Sequence, residues 1–445
     1  MNIYLKKIFI VFFVILFLFL GTYLIIRVQG LVLNTKNFSL IKTGGLYLNY
    51  TPKNAEVKIN GIPRESESLM HNILGSGIFV DNLIPGNYQI EVSYPQYYSW
   101  IKTLPVAPGF VTVNTLIHLF PKNWDQTQIA TSSLVTNFWL ANGNIIIQSS
   151  TNLFYQDKKL KGSDVVLSSP QRNTVLTVDK NNYYLINLNN PSSTLKFSLP
   201  SKDKDIFQFI FHPFDQNAFL GISKEAIYYF NFNEPVAQKI YTFNLADAFY
   251  QKENKIFIAQ KNGKILIIDL LLRNQTEINT NVTSSIIQLK TTNDGSSILF
   301  LTNNNQLYEY NLSLQTTTLL LAPNFLIKNF YPSLDGTRLA ILPQNENNIY
   351  ILALKDFELN VNISKGTLWK IKAPDNVDDF TWTNFALYGI FLAKNKLFIT
   401  DLDQNNFHNQ YLIAENITNN KIVFLDNKLY LLQGNKLNLI NLENY

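Results

Sequence analysis

Residues 294–312 read DGSSILFLTNNNQLYEYNL, and residues 335–354 follow the same plan as DGTRLAILPQNENNIYILAL. In both stretches an Asp-Gly pair precedes an apolar run, a polar turn follows, and a second apolar run ends on leucine. Short runs of β-branched and aromatic residues that are bounded by Asn, Asp and Gly are typical of antiparallel strands. Each stretch therefore predicts two adjacent strands of a repeated β unit.

The same unit recurs from residue 125 to residue 445. Its ends are NLFYQD around Phe154, YYLINL at 183–188, IYYFNF at 227–232, ILIIDL at 265–270, QLYEYNL ending at Leu312, NIYILAL ending at Leu354, KLFITDL ending at Leu402 and KLNLINL ending at Leu442. Successive ends lie about 40 residues apart, which is the length of a four-stranded propeller blade. The repeat predicts an all-β propeller of eight blades, with seven as the alternative because the first interval is short.

The turn that opens these units carries a second signal. The stretch YPSLDGTRLAIL at residues 331–342 resembles the S-P-D-G-x-x-hydrophobic segment of TolB-like and WD40-like propellers. Asp-Gly at this place predicts a hairpin turn between two strands of one blade. The Trp-Asp and Gly-His pairs of true WD40 repeats are missing, so the resemblance implies the propeller class and no subfamily.

The N-terminal region predicts a membrane helix. Residues 8–26 read IFIVFFVILFLFLGTYLII, without a charge, and about 20 such residues span the hydrocarbon layer of a bilayer. A cleaved signal peptide is the alternative, but no small-x-small cleavage site follows. We expect a cytoplasmic tail at 1–7, an uncleaved transmembrane helix at 8–26 and a juxtamembrane linker at 27–43. The rest of the chain would then lie outside the cytoplasmic membrane.

Residues 44–121 show the period-two alternation of strands with one buried face. The alternating pairs are Leu46 and Leu48, Val57 and Ile59, Ile90 and Val92, and Val111 and Val113. Asn60-Gly61 supplies the positive φ angles of a tight hairpin, and Pro85-Gly86 predicts a type II turn. This region therefore predicts a small β-sandwich.

The order of motifs in this region resembles the PEGA domain, a small surface-associated sandwich. Its tetrapeptide position is PKNA at 52–55, and VKING at 57–61, LIPGNY at 83–88 and YYSW at 97–100 follow in the family's order. Lys53 and Asn54 replace the Glu and Gly of the family pattern, and Asn tolerates the left-handed conformation that the turn requires. The resemblance implies an extracytoplasmic binding or spacer module without a known set of catalytic residues.

Composition and motifs exclude several classes of function. The net charge of +5 is spread along the chain, whereas nucleic-acid binding needs a dense basic patch, so no nucleic-acid partner is expected. The chain has no Cys, and its four His form no zinc motif. The motifs of nucleophile elbows and phosphate-binding loops are also missing. We therefore expect no catalytic residues and no cofactor.

Two groups of residues are candidates for binding. Asp401 and Asp403 alternate as the oxygen ligands of calcium loops do, but the Gly turn and the distal Glu are missing, so a solvated turn is the expectation. Tyr97, Tyr98 and Trp100 could form a sugar-stacking platform, although alternate members of such a strand usually fill a sandwich core.

The sequence favours a membrane-anchored binding or scaffold protein of a bacterial cell envelope, whose partner is an envelope protein or a cell-wall polysaccharide. One alternative is a propeller-based hydrolase or lyase with its site at the central funnel, which rests on fold analogy alone. The other alternative is a structural spacer. The sequence does not identify which face of the propeller binds.

Overall fold

The computed structural model describes residues 3–34, 39–64, 77–130, 134–197, 199, 206, 208–231, 237–358, 362–384, 386–404, 408–419 and 421–442. Helix α1 (Ile3–Val28) extends beyond the expected span of 8–26 at both ends, and it takes in most of the expected tail. Residues 9–26 are apolar and none of them is buried against the rest of the described chain. By length and composition this segment can cross a membrane.

The expected linker contains a two-stranded hairpin of β1 (Leu31–Asn34) and β2 (Ser39–Lys42). A two-sheet sandwich follows. Its strands are β3 (Gly44–Thr51), β4 (Glu56–Ile59), β5 (Ile62–Arg64), β6 (Ile78–Leu83), β7 (Gly86–Ser93), β8 (Trp100–Val106) and β9 (Val111–His118). One sheet has the order β6-β3-β9, in which β3 and β9 are parallel, and the other has the order β5-β4-β7-β8.

Two sequence-based details of the sandwich are wrong and the rest of the pattern is confirmed. Leu46, Leu48, Val57, Ile59, Ile90 and Val92 are all buried, and Asn60 and Gly61 have φ angles of 50° and 78°. Val111 and Val113 are exposed, because β9 pairs in parallel with β3 and turns the opposite face, with Asn114, inward. Gly86 begins β7 without a positive φ angle, since the chain there crosses from one sheet to the other.

Residues 126–441 form eight four-stranded sheets, as the predicted propeller requires. Blade 1 consists of β11 (Asn137–Ala141), β12 (Asn144–Ser149), β13 (Asn152–Tyr155) and β14 (Lys158–Leu160), and blade 2 of β15 (Asp164–Leu167), β16 (Thr174–Asp179), β17 (Asn182–Asn187) and β18 (Thr194–Phe197). Blade 3 consists of β19 (Gln208–Phe211), β20 (Ala218–Ile222), β21 (Ala226–Asn231) and β22 (Gln238–Thr242). Blade 4 consists of β23 (Ala246–Lys252), β24 (Lys255–Gln260), β25 (Lys264–Asp269) and β26 (Asn274–Asn279). A 3₁₀ turn (Lys261–Gly263) joins β24 to β25.

Blades 5 to 7 follow the same up-and-down order. Blade 5 consists of β27 (Ile286–Thr291), β28 (Ser297–Thr302), β29 (Leu307–Asn311) and β30 (Thr316–Leu321). Blade 6 consists of β31 (Ile327–Pro332), β32 (Arg338–Pro343), β33 (Asn348–Ala353) and β36 (Leu368–Lys372). Blade 7 consists of β37 (Val377–Trp382), β38 (Tyr388–Ala393), β39 (Lys396–Asp401) and β40 (Gln410–Ala414). Blade 6 carries an inserted hairpin of β34 (Phe357–Glu358) and β35 (Asn362–Ile363). The predicted Asp-Gly turns join β27 to β28 and β31 to β32.

Blade 8 closes the ring with strands from both ends of the propeller. Its C-terminal strands are β41 (Val423–Leu425), β42 (Lys428–Gln433) and β43 (Lys436–Asn441), and its outermost strand is β10 (Gln126–Ala130). Gln126 pairs with Ile440, and Thr127 pairs with Leu439. The first strand of the propeller therefore hydrogen-bonds to its last strand. This pairing closes the ring of blades.

Candidate functional site

The sandwich and blade 7 meet around one buried lysine. Nζ of Lys102, in β8, lies 3.0 Å from Oδ2 of Asp401 and also contacts Oδ2 of Asp403. The lysine side chain is 1% exposed, and the two carboxylates lie at the end of β39 and in the loop before β40. Buried charges need a close partner of opposite sign. The sandwich thus supplies the cation, and the propeller supplies both anions.

Asn409 reinforces the same contact with a pair of hydrogen bonds to the backbone of β8. The Ile101 N–H donates to Oδ1 of Asn409 over 3.1 Å, and Nδ2 of Asn409 donates to the Ile101 carbonyl over 3.2 Å. The same Nδ2 also donates to Oδ2 of Asp401 over 3.0 Å. Asn409 therefore extends β8 in the way that a neighbouring strand would, and it orients Asp401 toward Lys102.

Burial raises the pKa of the Asp401 carboxyl, and the Asp403 carboxylate raises it further. Lys102 and Asn409 act in the opposite direction, because both favour the charged form. Two carboxylates share one buried ammonium, and the net effect on the pKa of Asp401 is upward. The junction is therefore a strongly coupled electrostatic cluster.

The candidate metal ligands Asp401 and Asp403 do come together in the structure. Their carboxylate oxygens and a ring nitrogen of His408 lie within 4.8 Å of one another. The ammonium of Lys102 contacts both carboxylates, so an amino acid side chain occupies the position of a cation. This ammonium balances one of the two negative charges at the loop.

The aromatic candidates do not form a common exposed face. Trp100 is 3% exposed in the sandwich core, and Tyr97 packs against that core beside Tyr94. Tyr98 instead points to the propeller, where its ring centroid lies 5.4 Å from that of Tyr411. The structure separates the three rings, and the propeller covers one of them.

An aromatic cluster completes the junction beside the ionic one. Phe120 contacts the rings of Trp124, Tyr388 and Tyr411, with centroid separations of 5.8, 5.1 and 5.4 Å. Nε1 of Trp124 donates to the Leu412 carbonyl, and the His118 N–H contacts the Tyr388 hydroxyl. Burial raises the pKa of both tyrosines and lowers that of His118. These contacts attach the short segment between sandwich and propeller to blade 7.

The junction covers only part of one propeller face. We call this face the loop face, because it carries the connections between the first and second strands of every blade and those between the third and fourth strands of blades 1 to 7. Neighbouring connections are tied together by hydrogen bonds from Arg172 to the His212 carbonyl, from Lys252 to the Thr292 carbonyl, from Asn293 to the Leu334 carbonyl and from Arg338 to the Ala386 carbonyl. These bonds link blade 2 to blade 3 and join blades 4 to 7, and Nε2 of Gln251 donates to the Phe211 carbonyl over 3.5 Å between blades 3 and 4.

Five exposed apolar side chains lie on connections of the loop face in blades 3 to 6. They are Phe214 in blade 3, Leu271 and Leu272 in blade 4, Leu314 in blade 5 and Leu334 in blade 6, and they are between 47% and 72% exposed. Leu272 also borders a groove of about 530 Å³ between blades 4 and 5. Loops that a rigid propeller scaffold holds are the usual place for binding residues in this fold.

The centre of the ring carries a polar network between first strands of blades 5 to 8. Lys290 donates to Oδ1 of Asn329, the Tyr331 hydroxyl donates to Asp379, and Asp379 accepts the N–H of Ile422. Burial lowers the pKa of Lys290 to about 8, and Asp379 partly opposes this. Each of these hydrogen bonds joins two neighbouring blades, so the network links blades 5 to 8 at the centre of the ring.

Several residues of the junction escape sequence-based prediction. The signal for Lys102 is its position in WIKTLPV, where Trp100, Leu104 and Val106 share its side of the strand and are buried. Arg338 has the same kind of signal, because it begins the fully buried strand RLAILP. A charge on the apolar face of a strand indicates a partner across an interface.

The fold defines the chain as an eight-bladed β-propeller with a β-sandwich and one apolar N-terminal helix. Among solved structures it is similar to Kluyveromyces lactis Hsv2, at 10% identity and a TM-score of 0.46, over 64% of this chain and 99% of that one. It is also similar to a chain of a mitotic checkpoint complex, at 11% identity and a TM-score of 0.44, over 72% and 95% of the two chains. No family model matches, the PEGA model included, and no curated protein matches.

Proposed function

We propose that this chain is a membrane-anchored, extracytoplasmic binding protein of the cell envelope, with the propeller as a platform for a protein partner. The observation that carries the proposal is the loop face, on which five exposed apolar side chains lie on short connections; the N–H groups of Leu271 and Leu272 donate to Asp269, and that of Leu314 donates to Asn311. A rigid surface loses little conformational entropy when it binds. Leu272 and the groove beside it offer space for an extended peptide or a loop.

The sandwich acts in this proposal as a PEGA-like module that fixes the direction of the loop face. Lys102 and Asn409 attach it to blade 7, so the two domains move together. Helix α1 acts as the membrane anchor, with Lys6 and Lys7 on the cytoplasmic side. The partner is a protein of the envelope, and contact of the sandwich with wall polysaccharide is a second role. The chain needs no catalytic step for either.

Binding is tested with the full chain in detergent and a solubilised envelope. The variant Leu271→Ser/Leu272→Ser/Leu314→Ser removes apolar area from the loop face, and Ile240→Ser/Leu319→Ser/Leu368→Ser removes about two thirds as much exposed area from outer strands. We expect the unaltered chain and the outer-strand variant to recover one discrete protein, and the loop-face variant to lose it. The proposal is contradicted if the unaltered chain recovers no protein above background, or if the two variants recover equal amounts of it.

Orientation is tested by labelling intact cells with a membrane-impermeant maleimide. Because the chain has no Cys, a single introduced thiol reports one position. The variant Ser313→Cys, at an exposed position of blade 5, should react, and Asn2→Cys should react only after the cells are permeabilised. The reverse pattern would place the propeller in the cytoplasm.

A further inference from the structure

The chain enters one end of the sandwich directly from α1. The Thr43 N–H donates to the Gly30 carbonyl over 2.7 Å, and the Gly109 N–H donates to the Thr43 carbonyl over 2.8 Å. Gly30 follows α1 by two residues, so it lies within about 10 Å of the last residue of the apolar span. We call this end the helix end. It consists of the start of β3, the turn at 84–85 between β6 and β7, and the turn at 107–110 between β8 and β9.

Gly44 lies between the two turns of the helix end. It pairs with Leu83, which precedes the first turn, and a Cβ atom at Gly44 would lie only 2.4 Å from the Ala107 carbonyl oxygen in the second turn. A larger residue would therefore push the turns apart. The Tyr88 hydroxyl donates to the Ile84 carbonyl over 2.7 Å and ties the first turn to β7. The two turns thus form one surface beside the place where α1 ends.

Both turns present apolar side chains at their tips. Ile84 is 51% exposed in the first turn, and Phe110 is 71% exposed in the second. Pro85 follows Ile84, and Ala-Pro-Gly precedes Phe110, so neither turn contains a charged residue. The Lys42 side chain lies along the second turn, because a Cβ atom at Gly109 would be 2.5 Å from its Cε. Single exposed apolar residues are common, but these two lie on adjacent turns next to a helix of membrane length.

The propeller lies at the opposite end of the sandwich. β3 has eight residues, so the turn that follows it is about 26 Å from the helix end. Lys53 and Asn54 are exposed in that turn. Tyr98, in the connection between β7 and β8 at the same end, packs against Tyr411 of the propeller. The chain therefore passes from α1 through the helix end to the propeller, and the helix end is the part of the sandwich nearest to the membrane.

We propose that the helix end binds the lipid surface, with Ile84 and Phe110 inserted into the membrane interface. The headgroup layer extends about 5–8 Å beyond the hydrocarbon on each side, which is the level at which α1 passes into the sandwich. Aromatic and aliphatic side chains are stable at this boundary, and the ammonium of Lys42 meets lipid phosphates there. The inference rests on the membrane anchor of the proposed function. It adds two contacts that fix the tilt of the sandwich and hence the direction of the loop face.

The test measures fluorescence quenching of the full chain in vesicles of phosphatidylcholine with a minor share of phosphatidylglycerol. Because the chain has no Cys, a bimane fluorophore on one introduced thiol reports one position. Asn87→Cys places this reporter at an exposed position of the helix end, and Lys53→Cys places it at an exposed position of the opposite end. We expect a nitroxide on the lipid headgroup to quench the Asn87 reporter about twofold more strongly, since apolar groups at the interface enter the headgroup region.

Ile84→Ser/Phe110→Ser is the decisive variant and should abolish the difference between the two reporters. The matched control is Leu134→Ser/Leu319→Ser, which removes side chains that are 67% and 49% exposed on the propeller and should keep the difference. All four side chains are exposed, so both variants should unfold at the same temperature as the unaltered chain.

Equal quenching of the Asn87 and Lys53 reporters overturns the inference and leaves a protein as the occupant of the two turns. An unchanged difference in Ile84→Ser/Phe110→Ser overturns it as well. A reporter at Leu16→Cys, with a nitroxide in the middle of the acyl chains, tests the anchor separately. If the Leu16 reporter is quenched and the Asn87 reporter is not, α1 spans the membrane while the sandwich stands clear of it. If the Leu16 reporter is not quenched, the membrane anchor of the proposed function fails together with this inference.

Discussion

Lys102 and Asp401 are 299 positions apart in the sequence, yet their charged groups lie 3.0 Å from each other in the interior of the protein. The pair joins the sandwich to the propeller through side chains that are 1% and 9% exposed. Removal of one member would leave the other as an uncompensated buried charge, which is far costlier than the loss of a surface pair.

The variant Lys102→Met should therefore destabilise the chain by about 3–5 kcal/mol, because the buried Asp401 and the partly buried Asp403 lose their shared cation. Urea unfolding of the full chain in detergent measures this free energy. Lys58→Met is the matched control, since Lys58 lies in the same sheet with a partly exposed pairing to Glu56, and its cost should be less than about 1 kcal/mol. Equal costs for the two variants would contradict the assigned role of Lys102.

Asn409→Ala should cost about 2–3 kcal/mol, because the Ile101 N–H and carbonyl both lose a buried partner. Proteolysis under native conditions should cut the segment between residues 119 and 125 faster in this variant. Asn87→Ala, at an exposed position, should leave both measurements unchanged. An unaltered cleavage rate in Asn409→Ala would show that the junction does not depend on this side chain.

The stability of the ring should depend on pH through Lys290. Its pKa is about 8 in the folded chain and 10.5 in the unfolded chain, so the unfolded state binds more protons between these values. Stability therefore rises with pH across this window, by about 2 kcal/mol from pH 8 to about pH 9.5. Lys290→Met should lose this rise, and the exposed Lys264→Met should keep it. Parallel curves for Lys290→Met and the unaltered chain would contradict the assignment.

Ring closure can be tested with a disulfide between Thr127→Cys and Leu439→Cys, which face each other in β10 and β43. Because the native chain has no Cys, only one disulfide can form. Oxidation should stabilise the fold by about 2–4 kcal/mol, and reduction should reverse the effect. The pair Ile267→Cys/Thr276→Cys closes a short loop within blade 4 and should stabilise it less. No gain on oxidation of the first pair would argue against the closing strand.

The repeated part of the fold is well predicted from sequence, because every blade repeats the same strand pattern and turn and packs its apolar residues against the neighbouring blades. Gly295 and Gly336 have the positive φ angle that the Asp-Gly motif predicts, 68° in both cases. The length and apolar composition of α1 can likewise be read from the sequence of that segment alone. These features are predictable because the patterns that indicate them lie in residues that are close together in the sequence.

The junction is not predictable in this way, because its partners are far apart in the sequence. Lys102 is an ordinary strand lysine in the sequence until Asp401 is placed beside it, and Asp401 is expected in a solvated turn, whereas the structure buries it. The misjudged side of β9 has the same origin. Val113 and Asn114 exchange roles because the parallel pairing with β3, and not local alternation, decides which side is covered.

The pairing of β10 with β43 also has a consequence for biosynthesis. Ribosomes add about 5–20 residues per second, and 311 residues separate Ala130 from Asn441, so β10 waits on the order of 15 to 60 seconds for its partner. During that time its edge can pair with other chains. A nascent propeller of this kind needs protection until its last strand has emerged.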